Sequence, residues 1–115
     1  MKFKLEKSLR IITELIGFYN TKGAHDIKIE FNNTSKLSRY FFSAKTSPIS
    51  PDEVTALLET LNLPRQHEIE EYYWNLEVDS DYDSELSLIG MMIDSALVDY
   101  KNNILTIELI RNELD

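Results

Sequence analysis

The chain has 115 residues, 43% apolar and 28% charged, with three glycines, three prolines and no cysteine. That composition fits one globular domain and excludes wholesale disorder, a disulfide scaffold and thiolate metal sites. The formal net charge of −8 is unevenly spread: residues 1–48 hold nine Lys/Arg against four Asp/Glu, and residues 49–115 hold three against sixteen.

Residues 68–85 alone carry eight carboxylates and no cation. Such a split implies a basic partner, or two halves that attract each other once folded. It weighs against nucleic acid, because counterion release needs clustered Lys/Arg. The first residues, Met1-Lys-Phe-Lys-Leu-Glu, place charges where a signal peptide needs an apolar region. The longest strongly apolar run, residues 86–93, falls far short of the roughly 20 residues that span a bilayer. The absence of cysteine fits a reducing compartment. The expectation is a soluble cytoplasmic protein with no membrane segment.

Leu5, Leu9, Ile12, Ile16 and Tyr19 recur at helical spacing, and Ile11, Leu15 and Phe18 widen that stripe. Gly23 stands just past the expected helix end, where a left-handed stop is easiest. Ile27-Lys-Ile-Glu-Phe31 alternates strictly and reads as a strand. Asn32 to Lys36 reads as a turn and Arg39 to Lys45 as the returning strand. Ser50-Pro51-Asp52-Glu53 is a capping box with proline in the first turn, followed by Val54, Leu57, Leu58 and Leu61 at helical spacing. Pro64 ends that helix and starts another, with Glu68, Glu70 and Glu71 near its positive end and Ile69, Tyr72, Tyr73 and Leu76 as its core stripe.

The last third reads as a β-meander. A two-residue primed turn at Asn102-Asn103 places Tyr100 opposite Leu105, Val98 opposite Ile107 and Ala96 opposite Leu109, three apolar pairs on one face. Residues 86–93 supply a preceding strand with Gly90 as a bulge. Leu86, Ile89, Gly90, Ile93, Leu97 and Tyr100 also fit helical spacing, but the hairpin pairing favours strands. The expected fold is a two-layer α+β domain spanning residues 1–115. Its order is α-β-β-α-α-β-β-β, with helices on one face of an antiparallel sheet. Leu97, Ile104 and Ile110 then lie on the outer face, which gives a partly apolar surface suited to a homodimer.

Candidate sites are sparse. Asp79, Asp81, Asp83 and Glu85 alternate like the start of a calcium loop. The diagnostic sixth and twelfth positions are Ser84 and Gly90, so the stretch reads as a solvated acidic loop. His67 with Glu70 or Glu71 could place two ligands on one helix face, yet His-Glu-x-x-His is absent and His25 has no recognisable spacing to it. There is no Gly-x-Ser-x-Gly, and three glycines leave little room for a phosphate loop. The residues imply neither a cofactor nor a catalytic group. Tyr72, Tyr73 and Trp74 cannot all face one core stripe at about 100° per residue. Trp74 falls beside Glu70, where it is either covered by a neighbouring loop or the first helix, or is an exposed indole among carboxylates that marks a binding hot spot. Met91-Met92 reads as core filling.

Arg65-Gln-His-Glu-Ile-Glu-Glu-Tyr-Tyr-Trp74 and Gly90-Met-Met-Ile-Asp94, with the terminal hairpin, resemble small proteins of low-GC Gram-positive bacteria. That resemblance implies no particular activity. Glu14-Leu15 on a helix followed by the strand from Ile27 is similar to the first helix and strand of the histidine-kinase and gyrase ATPase superfamily. Phe18 stands where that superfamily has its magnesium-holding Asn, and its Asp-x-Gly-x-Gly box is missing. The sequence thus points to a non-enzymatic interaction or regulatory domain. Its surface for a basic protein partner would comprise Glu70, Trp74, Glu77, Asp79, Asp81, Asp83 and Glu85. A small ligand- or metal-binding domain using carboxylates and His67 is the alternative.

Overall fold

The computed structural model describes residues 4–66, 68 and 85–113. Among these, the elements are α1 (Lys4–Thr21), β1 (Lys28–Asn33), β2 (Leu37–Lys45), α2 (Pro51–Leu61), α3 (Glu85–Met92), β3 (Ser95–Lys101) and β4 (Ile104–Asn112). The four strands form one antiparallel sheet in the order β1-β2-β4-β3, with the helices largely on one side. The expected α+β class, antiparallel sheet and helical layer are all present.

Alternation in the strands decides which residues enter the core. Tyr40, Phe42 and Ala44 of β2 and Leu105, Ile107 and Leu109 of β4 face the helices and are buried. Ile11, Leu15 and Tyr19 of α1, Leu57 and Leu61 of α2, and Ile89 and Met92 of α3 close the same core. The hairpin forms in the expected register: Tyr100 pairs with Leu105, Val98 with Ile107 and Ala96 with Leu109. Asn102 and Asn103 have φ of 54° and 63°, the left-handed pair that a primed two-residue turn requires. Leu97 and Ile104 are 67% and 44% exposed on the outer face, and Ile110 is half-buried there.

Local signals at the helix ends are also realised. Ser50 Oγ accepts the Glu53 N–H at 3.2 Å, and Pro51 opens α2. Gly23 has φ of +79° and follows α1, while the Ala24 N–H returns to the Tyr19 carbonyl at 3.1 Å. The β1–β2 turn is shorter than expected. Thr34 Oγ1 accepts from the Lys36 and Leu37 N–H groups, so β1 runs on to Asn33.

Three expectations are corrected. The first concerns α1, whose buried line is Lys7, Ser8, Ile11, Leu15 and Tyr19, whereas Leu5, Leu9 and Ile16 are 62%, 52% and 39% exposed. The apolar arc of this helix is wider than one face, and hydroxyl contacts set its rotation. Ser8 Oγ lies 2.9 Å from the Tyr40 hydroxyl, and the Tyr19 hydroxyl donates to the Leu105 carbonyl at 2.9 Å. The second concerns residues 86–93, which form α3 rather than a strand. Leu, Ser and Met are unbranched at Cβ and accept a helix, and Ile89, Met92 and Ile93 are buried against the other helices. The place a third strand would take beside β3 is filled by Asn62. Its carboxamide bonds both the N–H and the C=O of Ala96, at 3.1 and 3.2 Å. The third concerns Gly90, which is no bulge. It is a crossing point where α3 approaches the Thr60 carbonyl and Leu61 of α2. The expected helix following Pro64 falls outside the described residues.

Gly90→Ala tests that crossing. Alanine favours a helix by about 1 kcal/mol over glycine, but its Cβ would collide with the backbone oxygen of Thr60. Because backbone cannot swing aside as a side chain can, the clash should win by about 1–3 kcal/mol. Urea denaturation should show that loss; equal or greater stability would contradict the close α2–α3 approach.

Candidate interaction surface

The acid-rich stretch leaves and rejoins the described body at one helix. After α2, the Asn62 N–H bonds back to the Leu58 carbonyl at 3.1 Å. Arg65 Nη1 donates to Asp94 Oδ2 at 3.0 Å and to the Asn112 carbonyl at 2.6 Å. The Gln66 N–H donates to the Met91 carbonyl at 3.0 Å, near the end of α3. The chain returns at Glu85, the first residue of that helix. Six residues of α-helix separate Glu85 from Met91, so the two anchors are about 9 Å apart along the axis. Eight carboxylates are therefore carried on a stretch fixed at both ends to the same element.

Of the residues expected to bind a partner, Glu70, Trp74, Glu77, Asp79, Asp81 and Asp83 lie outside the described residues, as does His67. Glu85 is the first residue of α3. Glu68 is exposed. The structure thus fixes where the acidic stretch leaves and rejoins the described residues.

Sequence reasoning missed a buried polar cluster at the far end of β2 and β4. Ser38 Oγ donates to Glu113 Oε2 at 2.5 Å, Arg111 Nε to Glu113 Oε1 at 3.3 Å, and Arg111 Nη1 to the Met92 carbonyl at 2.5 Å. Arg111 and Lys7 are each 1% exposed. Arg111 and Glu113 continue the inward alternation of Leu105, Ile107 and Leu109, so their direction was legible even though their burial was not. Burial of such a pair stabilises little by itself, but removing one member strands the other charge.

Two clefts flank α1. One, of about 220 Å³, lies between α1, α2 and α3 and is lined by Phe18, Ile49, Val54, Leu57 and Leu86. Its rim carries the Lys22–Glu53 ion pair at 2.7 Å. The Lys22 hydrogen bond, helped by the Ser50 backbone, holds the Glu53 carboxyl below its ordinary pKa. The other, of about 300 Å³, is lined by His25, Asp26, Lys45 and Thr46. Among the described residues, no three His, Asp or Glu side chains cluster as a metal would require. No helix among them is long and apolar enough to cross a membrane. In comparisons with known proteins, the chain matches no family model and no curated sequence.

Burial also gives the core a pH response. Desolvation raises the Tyr19 pKa well above its ordinary value and raises that of Tyr40, where the Ser8 hydrogen bond partly opposes it. A folded-state pKa above the unfolded one means that the native chain holds its proton longer. Stability is therefore intact below the unfolded tyrosine value, near 10, and falls as pH climbs beyond it. In Tyr19→Phe the alkaline decline should be shallower, by up to about 1.4 kcal/mol per pH unit. Urea midpoints measured across that range check it; parallel declines in both proteins would contradict a buried, neutral Tyr19.

Proposed function

We propose that this chain is a non-enzymatic protein-interaction or regulatory domain that binds a basic protein partner through residues 68–85. The observation that carries this reading is the double attachment of the acidic stretch to α3, at Gln66 through Met91 and at Glu85. A stretch held at both ends loses less conformational entropy on binding than a free tail, so more of its interaction energy reaches affinity. Carboxylates at that density draw a cationic surface by long-range attraction and raise the association rate. Trp74 supplies the apolar anchor that fixed charges alone lack.

The described part of the chain supports a folded platform for such a stretch. Cross-half ion pairs such as Lys22–Glu53 and Arg39–Glu108 use acids of α2 and β4, outside residues 68–85. Nucleic acid is a poor counterpart, since the outer sheet face mixes Lys28, Arg39, Lys45 and Lys101 with Glu30, Asp99 and Glu108.

Two measurements test the reading. Raising salt should stabilise the free protein, because screening relieves the mutual repulsion of eight carboxylates that have no cation among them in the sequence. Destabilisation by salt would mean that the halves neutralise each other, and the partner reading would fall. With a basic partner captured from the native host, Trp74→Ala should weaken binding by about 2 kcal/mol or more. Its unfolding midpoint should match that of the parent. Unchanged affinity would remove Trp74 from the surface.

A further inference from the structure

The two edges of the sheet are finished differently. At β3, the Asn62 carboxamide accepts from the N–H and donates to the C=O of Ala96, both of which point to the outer side of the strand. At β1 all six residues are exposed, and among the described residues no backbone hydrogen bond reaches its outer side. The orientation of that open edge follows from the turn. Thr34 N–H bonds to the Leu37 carbonyl at 2.8 Å, which makes 34 and 37 a hydrogen-bonded pair. Such pairs recur at every second residue of an antiparallel ladder. Lys28, Glu30 and Asn32 therefore bond to β2, and the N–H and C=O groups of Ile29 and Phe31 point outward.

We propose that β1 pairs, antiparallel, with β1 of a second copy of this chain about a two-fold axis at Ile29. Ile27-Lys-Ile-Glu-Phe31 is symmetric in hydrophobicity around that residue and carries opposite charges at the two flanking positions. In this register Ile29 meets its own counterpart, each Lys28 faces a Glu30, and each Ile27 faces a Phe31. Moving the axis to Lys28 or Glu30 would oppose like charges, and an axis at Phe31 would leave Glu30 opposite Asn32. Neither Lys28 nor Glu30 has an ion-pair partner among the described residues. An open edge accepts any extended segment; the Lys–Ile–Glu symmetry is what selects a second copy.

The apolar layer above the strand fits the same axis. Ile29 and Phe31, each 37% exposed, share the helix-facing side with Phe42 and Tyr40, and the Phe31 ring stacks on Tyr40 at 5.0 Å. On α1, Phe18 faces α2 and α3 across the apolar cleft. At about 100° per residue, Leu5, Leu9 and Ile16 lie on the opposite flank, toward β1. Ile29 and Phe31 of β1, with Leu5, Leu9 and Ile16 on this flank of α1, make up five of the ten large apolar side chains exposed among the described residues. A patch of that kind is uncommon on a monomer, and a two-fold lets each copy cover the other's.

Light scattering and sedimentation equilibrium of the full chain test this. The parent protein should be a dimer, and K28E and E30K should each raise the dissociation constant about tenfold or more, since each converts both ion pairs into like-charge pairs. The double variant K28E/E30K restores two opposite-charge pairs and should dimerise again. Leu97→Lys, on the outer sheet face, should leave the dimer intact. Circular dichroism should show all four variants folded, because these side chains are exposed. A parent protein that is monomeric at millimolar concentration would overturn the proposal. So would single reversals that stay dimeric, a folded double variant that fails to recover, or dissociation caused by Leu97→Lys.

Discussion

Everything in this fold depends on the ladder between β2 and β4, which joins residues far apart in the chain over nine paired positions, from Leu37 with Asn112 to Lys45 with Ile104. Closing such a distant pair costs loop entropy before any contact repays it. The return comes from the inward face of the two strands, where Tyr40, Phe42, Leu105, Ile107 and Leu109 are completely buried. The tyrosine hydroxyls then lock the helical layer to this ladder. Tyr19 reaches the Leu105 carbonyl, and Tyr40 meets Ser8. Because β2 belongs to the cationic half and β4 to the acidic half, the ladder also unites the oppositely charged parts of the chain.

The two outer strands show how a sheet of this kind controls its own exposure. The β3 edge is capped at Ala96 by a side chain from the end of α2, and that cap accompanies the folding of residues 85–92 as a helix. The β1 edge keeps its backbone available and surrounds it with apolar side chains from its own strand and from α1. An unprotected edge invites indiscriminate pairing. Charges placed symmetrically about Ile29 restrict that pairing to a matched strand.

Much of this was legible in the sequence, and the failures have a common cause. Period-two alternation located β1, the turn after it placed β2, and apolar cross-strand pairing placed β3 and β4. The Asn102-Asn103 dipeptide fixed the hairpin register, because few residues tolerate two successive positive φ angles. Ser50 through Glu53 announced α2. These are local signals, each satisfied within a few residues of chain. The rotation of α1 was not local: its apolar arc admits two faces, and partners on β2 and β4 select Ile11 and Leu15 over Leu5 and Leu9. Residues 86–93 fit either period, and their fate was decided by Asn62 on the β3 edge and by the Gly90 crossing. Of the candidate surface, the charge split and the limits of the acidic stretch were readable. Its attachment to α3 was not, because that rests on backbone hydrogen bonds any residue can make.

The central claim is that both halves of the chain form one cooperative body through the β2–β4 ladder. Native-state hydrogen exchange tests it most directly. The N–H groups of Tyr40, Phe42, Ile107 and Leu109 bond across that ladder, as the flanking bonds from Thr46 to Asn103 and from Glu113 to Lys36 dictate by alternation. These four amides should be among the slowest to exchange and should open only with global unfolding. If they exchanged well before the amides of the β3–β4 hairpin, the halves would be opening separately, and the account would be wrong.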